Sequence, residues 1–193
     1  MKADDVQLIE QTLAGNSAAF GELVRRYQDR LFNMVAHTIG CPIEAEDVVQ
    51  DTFVQAYTKL GSFRQDSLFY TWLYRIAVNS AISRRRKKRP TLSVDRQQES
   101  IGSEPVDSSE SPSDRLEREE RATQVHAALD QLNDQHRAIL VLREIEGFCY
   151  EEIAEILEMP IGTVRSRLHR ARSQLRDQLE PMLYGYPADR GNG

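Results

Sequence analysis

A chain of 193 residues, 40% hydrophobic and 28% charged, can build one medium or two small cores, and its formal charge of -5 argues mildly against a nucleic-acid partner. Its two cysteines, Cys41 and Cys149, lie far apart without CxxC or paired-His spacing, which excludes a disulfide framework and a thiolate metal site and suits a reducing, cytoplasmic setting. The longest run without Asp, Glu, Lys or Arg, Leu31 to Ile43, is too short and polar to span a bilayer, and no apolar core follows Met1-Lys2-Ala3-Asp4-Asp5, so neither membrane insertion nor a secretory signal is expected.

In chain order, Phe20, Leu23, Val24, Tyr27, Leu31, Met34 and Val35 recur at three and four residues and predict a helix. Pro42 opens the next, which carries Ala45, Val48, Val49, Phe53, Ala56, Tyr57 and Leu60 on one face and stops at Gly61. A third is expected from about Phe69 to Arg85, burying Leu73, Ile76, Ala77 and Ile82. Residues 90–113 hold three of the seven prolines and seven serines without apolar periodicity, and read as a flexible acidic linker. Four more helices follow, at Leu116 to Leu132, Gln135 to Glu146 with Gly147 as C-cap, Tyr150 to Leu157, and Ile161 to about Leu179. The last two are joined by Glu158-Met159-Pro160, short enough for a helix-turn-helix or an antiparallel hairpin. No run alternates with period two for long enough to argue for a sheet. The expectation is an all-α chain of two small helical domains, 1–90 and 116–180, joined by a linker at 91–115 and followed by a disordered tail at 181–193.

Charge is unevenly spread. Lys and Arg number 13 against 10 acids in residues 1–90, 4 against 9 in 91–123, and 8 against 11 in 124–193. Two short stripes are densely basic: Arg84 to Arg89 is six cations in succession, and Ile161 to Arg176 has five arginines and no acid. Local stripes, unlike net charge, are what a phosphate backbone meets.

In the second stripe, Ile161, Val164, Leu168, Ala171 and Leu175 mark the inner face of a helix, while Ser166 and Arg170 lie opposite it with His169 beside them and Arg165, Arg167 and Arg172 on its flanks. Such a helix suits a major groove, where arginine pairs bidentately with guanine and Ser or His bonds base edges or phosphate. It would also serve as the wetted side of a bundle helix, but sixteen residues without an acid favour DNA over that use.

Upstream, Phe63 to Tyr74 holds five aromatics, followed by Arg75, Asn79 and the cation run. Rings beside cations suit unpaired bases; a core cluster beneath a loop would use the same residue types. The polar loop Arg64, Gln65, Asp66 and Ser67 favours a pocket for a flipped base. The opening of the second helix, Glu44-Ala45-Glu46-Asp47-Val48-Val49-Gln50-Asp51, is acidic beyond what its helix dipole asks, and offers a docking surface for a basic partner as well as a cap. No HExxH, Walker loop, GxGxxG or GxSxG is present, and His37, His126, His136 and His169 are scattered, so no catalytic or metal site and no cofactor is expected.

The whole arrangement resembles the extracytoplasmic-function sigma factors. Phe63-Arg64-x-Asp66-Ser67-x-Phe69-Tyr70-Thr71-Trp72-Leu73-Tyr74-Arg75 through Asn79 is similar to the promoter-melting part of that family's region two, and Glu46-Asp47-Val48-Val49-Gln50 to its polymerase-docking part. Tyr150-Glu151-Glu152-Ile153-Ala154 and Gly162-Thr163-Val164-Arg165-Ser166-Arg167 are similar to region four. The resemblance implies an alternative sigma factor of a stress or envelope response that binds core RNA polymerase. Asp47, Gln50, Asp51 and Phe53 would dock on the polymerase; Phe63, Arg64, Gln65, Asp66 and Ser67, with Asn79 nearby, would border a flipped minus-ten base; Trp72 and Tyr74 would help part the strands. Arg165, Ser166, His169 and Arg170 would read duplex minus-thirty-five DNA, and an anti-sigma factor would restrain the chain. His169 stands where members of the family vary, so its base preference does not follow. A free-standing helix-turn-helix repressor is the rival reading, but it needs a dimer and a palindromic site and leaves the aromatic loop without a use.

Overall fold

The structure, a computed structural model, describes residues 3–64, 66–88 and 112–184, and every regular element among them is helical. Helix α1 (Ala3–Leu13) begins with Asp4 and Asp5 in its first turn, where carboxylates suit the positive end of a helix. Asp5 is nevertheless buried, because α2 (Ser17–Ile39) brings it Arg26 and the Tyr27 hydroxyl, the latter at 2.7 Å. Asn16 caps α2 by accepting from the Ala18 amide at 3.2 Å, and Gly40 ends it in the left-handed region at φ 83°. Pro42 then starts α3 (Pro42–Lys59), where a missing N–H costs nothing. A single 3-10 turn, Leu60–Ser62, closes α3 and leads through a loop to α4 (Phe69–Lys88). Phe20, Leu23, Leu31, Met34 and Val35 of α2 are buried with Val48 of α3 and Leu73 and Ala77 of α4, each large apolar side chain contributing about 1.5–3 kcal/mol by leaving water.

The second half contains α5 (Pro112–Gln131), α6 (Asp134–Leu140), α7 (Tyr150–Ile156) and α8 (Ile161–Tyr184). Asn133 caps α6, accepting from the His136 amide at 2.8 Å, and a π turn, Val141–Ile145, prolongs that helix toward Gly147 at φ 74°. Glu152 reaches back to the Cys149 amide at 2.8 Å and fixes the start of α7. Helices α5, α6 and α7 all pack on α8, burying Ile139, Leu142, Ile153, Val164, Leu168 and Ala171.

The all-α expectation holds, with differences of extent. Helix α1 is an addition to the expected set, α4 runs three residues beyond Arg85, and the segment predicted as one helix to Glu146 is α6 followed by the π turn. Helix α5 starts within the span read as linker, and α8 continues through Pro181 into the span read as tail. The remainder of those two spans lies outside the described residues.

The two helical groups are packed against each other. Helix α4 meets α6 and α7, and α2 meets α6 and the π turn, so Leu73, Tyr74 and Ala77 share one continuous apolar cluster with Leu129, Phe148 and Ile153. Polar groups close the seam. Arg137 of α6, wholly buried, donates from Nε to the His37 carbonyl at 2.6 Å and pairs with Asp130. Arg85 of α4 binds Asp134 at 2.9 Å, the Asp130 carbonyl at 3.1 Å and the Ile39 carbonyl at 3.3 Å. The two arginines thus satisfy carbonyls left open at the C-terminal end of α2. Gly40 is favoured by its left-handed backbone angle, and a Cβ there would also stand 3.0 Å from Arg137 Nη2 and press on the buried guanidinium.

Candidate nucleic-acid interface

Three surfaces carry the residues singled out in the sequence. On α8 the inner stripe is closed, with Val164 and Ala171 fully buried and Leu168 at 1%, while Arg165, Ser166, His169 and Arg170 are all exposed. Ser166 Oγ donates to the Thr163 carbonyl at 3.1 Å, and the Arg165 guanidinium lies 5.9 Å from the centre of the Tyr150 ring, whose other cation is Arg143 at 5.1 Å. Two neighbours in the basic stripe are held differently. Arg167 donates to Gln135 at 2.7 Å and Arg172 to Glu144 at 2.6 Å, so both tie α8 to α6 and the π turn.

The loop between α3 and α4 forms a cleft of ≈ 410 Å³, lined by Ser62, Phe63, Arg64, Asp66, Ser67, Trp72 and Arg75. Gln65 lies outside the described residues. Phe63 and Trp72 stack obliquely at 5.1 Å, and both rest on buried Phe69 at 5.9 Å, which keeps the Trp72 ring partly accessible. Asn79 is two turns farther along α4 and outside this cleft; it lines a neighbouring groove with Gln55, Lys59 and Arg75, so Arg75 connects the two. Tyr74 faces the other way. It is buried, sits edge-on to Phe148 at 4.9 Å and donates its hydroxyl to Glu146 at 3.0 Å.

Glu146 is itself buried, and burial pushes its carboxyl pKa up even though Tyr74 and Arg30, the latter at 2.8 Å, favour the carboxylate. Tyr70, on the same face of α4 as Tyr74 and stacked on Phe148 at 5.8 Å, donates to Glu152 of α7; burial first and this carboxylate second push its hydroxyl up to about 12. Arg75 reaches Glu158 at 3.4 Å, and Glu155 completes the wall of the cleft. Sequence reasoning missed Tyr70, Arg75 and the α7 glutamates as one constellation, because nothing in the local pattern says that α7 lies on α4.

On α3, Asp47, Gln50 and Asp51 are exposed in one band, Asp47 paired to Arg84 at 3.0 Å. Phe53 is not on that band: at 100° per residue it falls with Val49 and Ala56 on the core side, 7% exposed against Phe20. The exposed apolar groups of the helix are Ile43, Val54 and Tyr57. Among the described residues no grouping of His, Cys, Asp and Glu could hold a metal ion, and no helix is long and apolar enough to cross a membrane.

Residues 23–91 match Sigma-70 region 2 and residues 122–175 match Sigma-70, region 4. Over 184 residues the chain is 40% identical to the RNA polymerase sigma-H factor of Pseudomonas aeruginosa, spanning 93% of this chain and 95% of that protein. It is 37% identical over 188 residues to the ECF RNA polymerase sigma-E factor of Escherichia coli, spanning 93% and 96%. The chain belongs to the extracytoplasmic-function sigma factors. This sigma factor is similar in fold to CnrH solved with the cytosolic domain of CnrY, at TM-score 0.68 and 31% identity over 92% of this chain and 97% of that one. It is also similar to the sigma factor RpoE of Bartonella quintana solved with the anti-sigma factor NepR, at TM-score 0.63 and 28% identity over 83% and 96%. As an alternative sigma factor it binds DNA, joins core RNA polymerase and directs transcription initiation at promoters with minus-thirty-five and minus-ten elements.

Proposed function

We propose that the outer face of α8 reads the minus-thirty-five major groove through Arg165, Ser166, His169 and Arg170. The α3–α4 loop, with Phe63, Arg64, Gln65, Asp66 and Ser67, receives a base flipped from the minus-ten element. Trp72 stacks against the parted strand, and Asn79, with Arg75 beside it, follows the strand along the adjoining groove. Tyr74 takes part only after it leaves Glu146. Asp47, Gln50 and Asp51 dock on core polymerase, flanked by Val54 and Tyr57, while Phe53 supports that helix from beneath.

The exposure pattern of α8 carries this reading: an apolar stripe closed on the core and an acid-free cationic stripe open to solvent along the same helix. Residues 1–90 and 116–180 act as the polymerase and minus-thirty-five modules, and 91–115 links them. The sigma factor works in the cytoplasm with its template, serves a stress or envelope response, and has no catalytic chemistry of its own because the polymerase supplies it. An anti-sigma partner is part of the proposal, supported by the solved relative RpoE in complex with NepR.

Adding the full chain to core polymerase is expected to give run-off transcripts from a defined subset of promoters, and start-site sequencing would define the elements. Tight, specific binding of duplex promoter by the chain alone, with no transcript gained on adding polymerase, would overturn the proposal in favour of a repressor.

A further inference from the structure

Tyr150, the first residue of α7, is half-buried at the corner where α7, the π turn and α8 meet. Its ring is shared by cations from two elements. Arg143 of the π turn sets its guanidinium carbon 5.1 Å from the ring centre and Arg165 of α8 sets its own at 5.9 Å. Both fall inside the roughly 6 Å over which the π face attracts a cation. Glu151, the next residue, lies within reach of the Arg165 charge and offsets the repulsion between the two guanidinium groups.

The ring and Arg143 are held from behind. Arg143 Nη1 donates to the Phe148 carbonyl at 2.7 Å, and the Glu152 carboxylate takes the Cys149 amide at 2.8 Å and fixes the turn that carries the ring. Arg165, exposed on α8, is therefore the group that the ring orders. Arg172, two turns farther along the same flank, shows what difference this makes. Glu144 takes its Nε at 2.9 Å and its Nη2 at 2.6 Å, so the edge that carries the donors already pairs within the protein. An arginine held over a ring by its face keeps that edge for another acceptor. The O6 and N7 of a guanine in the major groove form such an acceptor pair, and bidentate pairing needs the guanidinium to arrive in one orientation.

We propose that Tyr150 is a positioning residue for minus-thirty-five reading: its ring holds the Arg165 guanidinium by the face and presents the donor edge to a guanine in the major groove. The inference rests on the assignment of Arg165 to that groove. Arg170, five residues on and turned about 140° around the helix, provides the comparison within the same reading face.

The test uses full-length variants in assembled polymerase, with run-off rate measured against promoter concentration on a promoter set altered at one minus-thirty-five base pair at a time. Tyr150→Leu removes the ring; Tyr150→Phe keeps it and drops only the hydroxyl, which interacts with Arg172. Tyr150→Leu is expected to raise the half-saturating promoter concentration about threefold at an unchanged maximal rate. It should lose discrimination at the base pair where Arg165→Ala loses it, add nothing when combined with Arg165→Ala, and multiply with Arg170→Ala. Tyr150→Phe should behave as the parent chain. If Tyr150→Leu lowers helix content by circular dichroism, Tyr150→Met, which keeps more of the apolar contact, gives the same readout. A residue that merely held the helices together would weaken every promoter of the set alike and compound with Arg165→Ala; that result overturns the proposal. An unchanged Tyr150→Leu, or an equal defect in Tyr150→Phe, overturns it too. Failure of the underlying assignment looks different: if Arg165→Ala itself leaves the preference at every minus-thirty-five base pair unchanged, Arg165 is no reader and the role of Tyr150 falls with it.

Discussion

The Nε of Arg137 lies 2.6 Å from the carbonyl oxygen of His37, a bond that joins residues one hundred positions apart and makes α6 a cap for the last turn of α2. A buried guanidinium in this position is held by its neighbours: Asp130 pairs with it, Arg85 binds Asp130 and Asp134 beside it, and burial lowers its pKa to about 10, still charged at neutral pH. Removing it leaves carboxylates and carbonyls short of a donor. Arg137→Met is expected to cost about 3–5 kcal/mol and to uncouple the two halves. In urea, far-UV circular dichroism and Trp72 fluorescence should report one shared transition for the parent chain and two separate ones for the variant.

The His37 and His126 rings stack at 5.2 Å and 8° across the seam, with Arg137 from α6 facing both and Asp130 near His126. Burial, then the neighbouring cation-forming ring and Arg137, lower the His37 pKa to about 4; burial and Arg137 also lower that of His126. In the separated or unfolded chain a histidine takes its proton near 6.5, so the closed form binds fewer protons below that value. Its stability is fully present above about pH 6.5 and declines as pH falls toward 4. The thermal midpoint should drop over this window in the parent chain, and less in His126→Phe, which keeps the stack but cannot titrate at that ring.

Phe53 and its neighbours on α3 separate folding from docking. Phe53→Ala should destabilise the protein by about 3–5 kcal/mol through lost burial and the cavity left against Phe20. Asp51→Ala, on the exposed side, should change stability by no more than about 0.5 kcal/mol, and Tyr57→Ala, half exposed but edge-on to Phe20 at 5.0 Å, should cost about 0.5–1.5 kcal/mol, well short of Phe53→Ala. These two are expected to weaken capture by core polymerase, measured by competition against the parent sigma factor. The Asp47–Arg84 pair is exposed at both ends and adds little to the fold, so Asp47→Ala belongs with the docking group.

Within α8 the arginines should divide by contact. Arg170→Ala, and Arg165→Ala beside it, should reduce transcription from a minus-thirty-five-dependent promoter by the equivalent of about 1–3 kcal/mol each while leaving polymerase binding intact. Arg172→Ala, which breaks the tie to Glu144, should act more weakly on promoter choice and through helix packing. Quantitative run-off assays on promoters altered at single minus-thirty-five positions would show the difference.

The helical periods reveal α2, α3, α4 and the four helices of the second half because each closes an apolar stripe on a core. Helix α1 escapes that test: its buried face includes Asp5 and Thr12 beside Ile9, and Asp5 is held by Arg26 and Tyr27 from α2. The exposed cationic face of α8 follows from the same periodicity as its buried face, so its site residues are legible. The resemblance gives Phe53 and Tyr74 binding roles, although the periodicity of α3 already sets Phe53 on its apolar face, and tertiary packing buries both side chains. The seam is illegible for a different reason. Its members, Arg85, Arg137, Asp130, Glu146, His37 and His126, are residues that mark solvent when alone, and only their pairing across the two halves makes them interior.

Gly40 gives geneticists a handle on this arrangement. A side chain there meets both an unfavourable backbone angle and the Arg137 guanidinium at 3.0 Å, yet the position touches neither the α8 reading face nor the cleft. A substitution at Gly40 should therefore weaken the joint between the two halves while leaving the side chains of both DNA-facing surfaces as they are, so that stability and promoter reading can be perturbed one at a time.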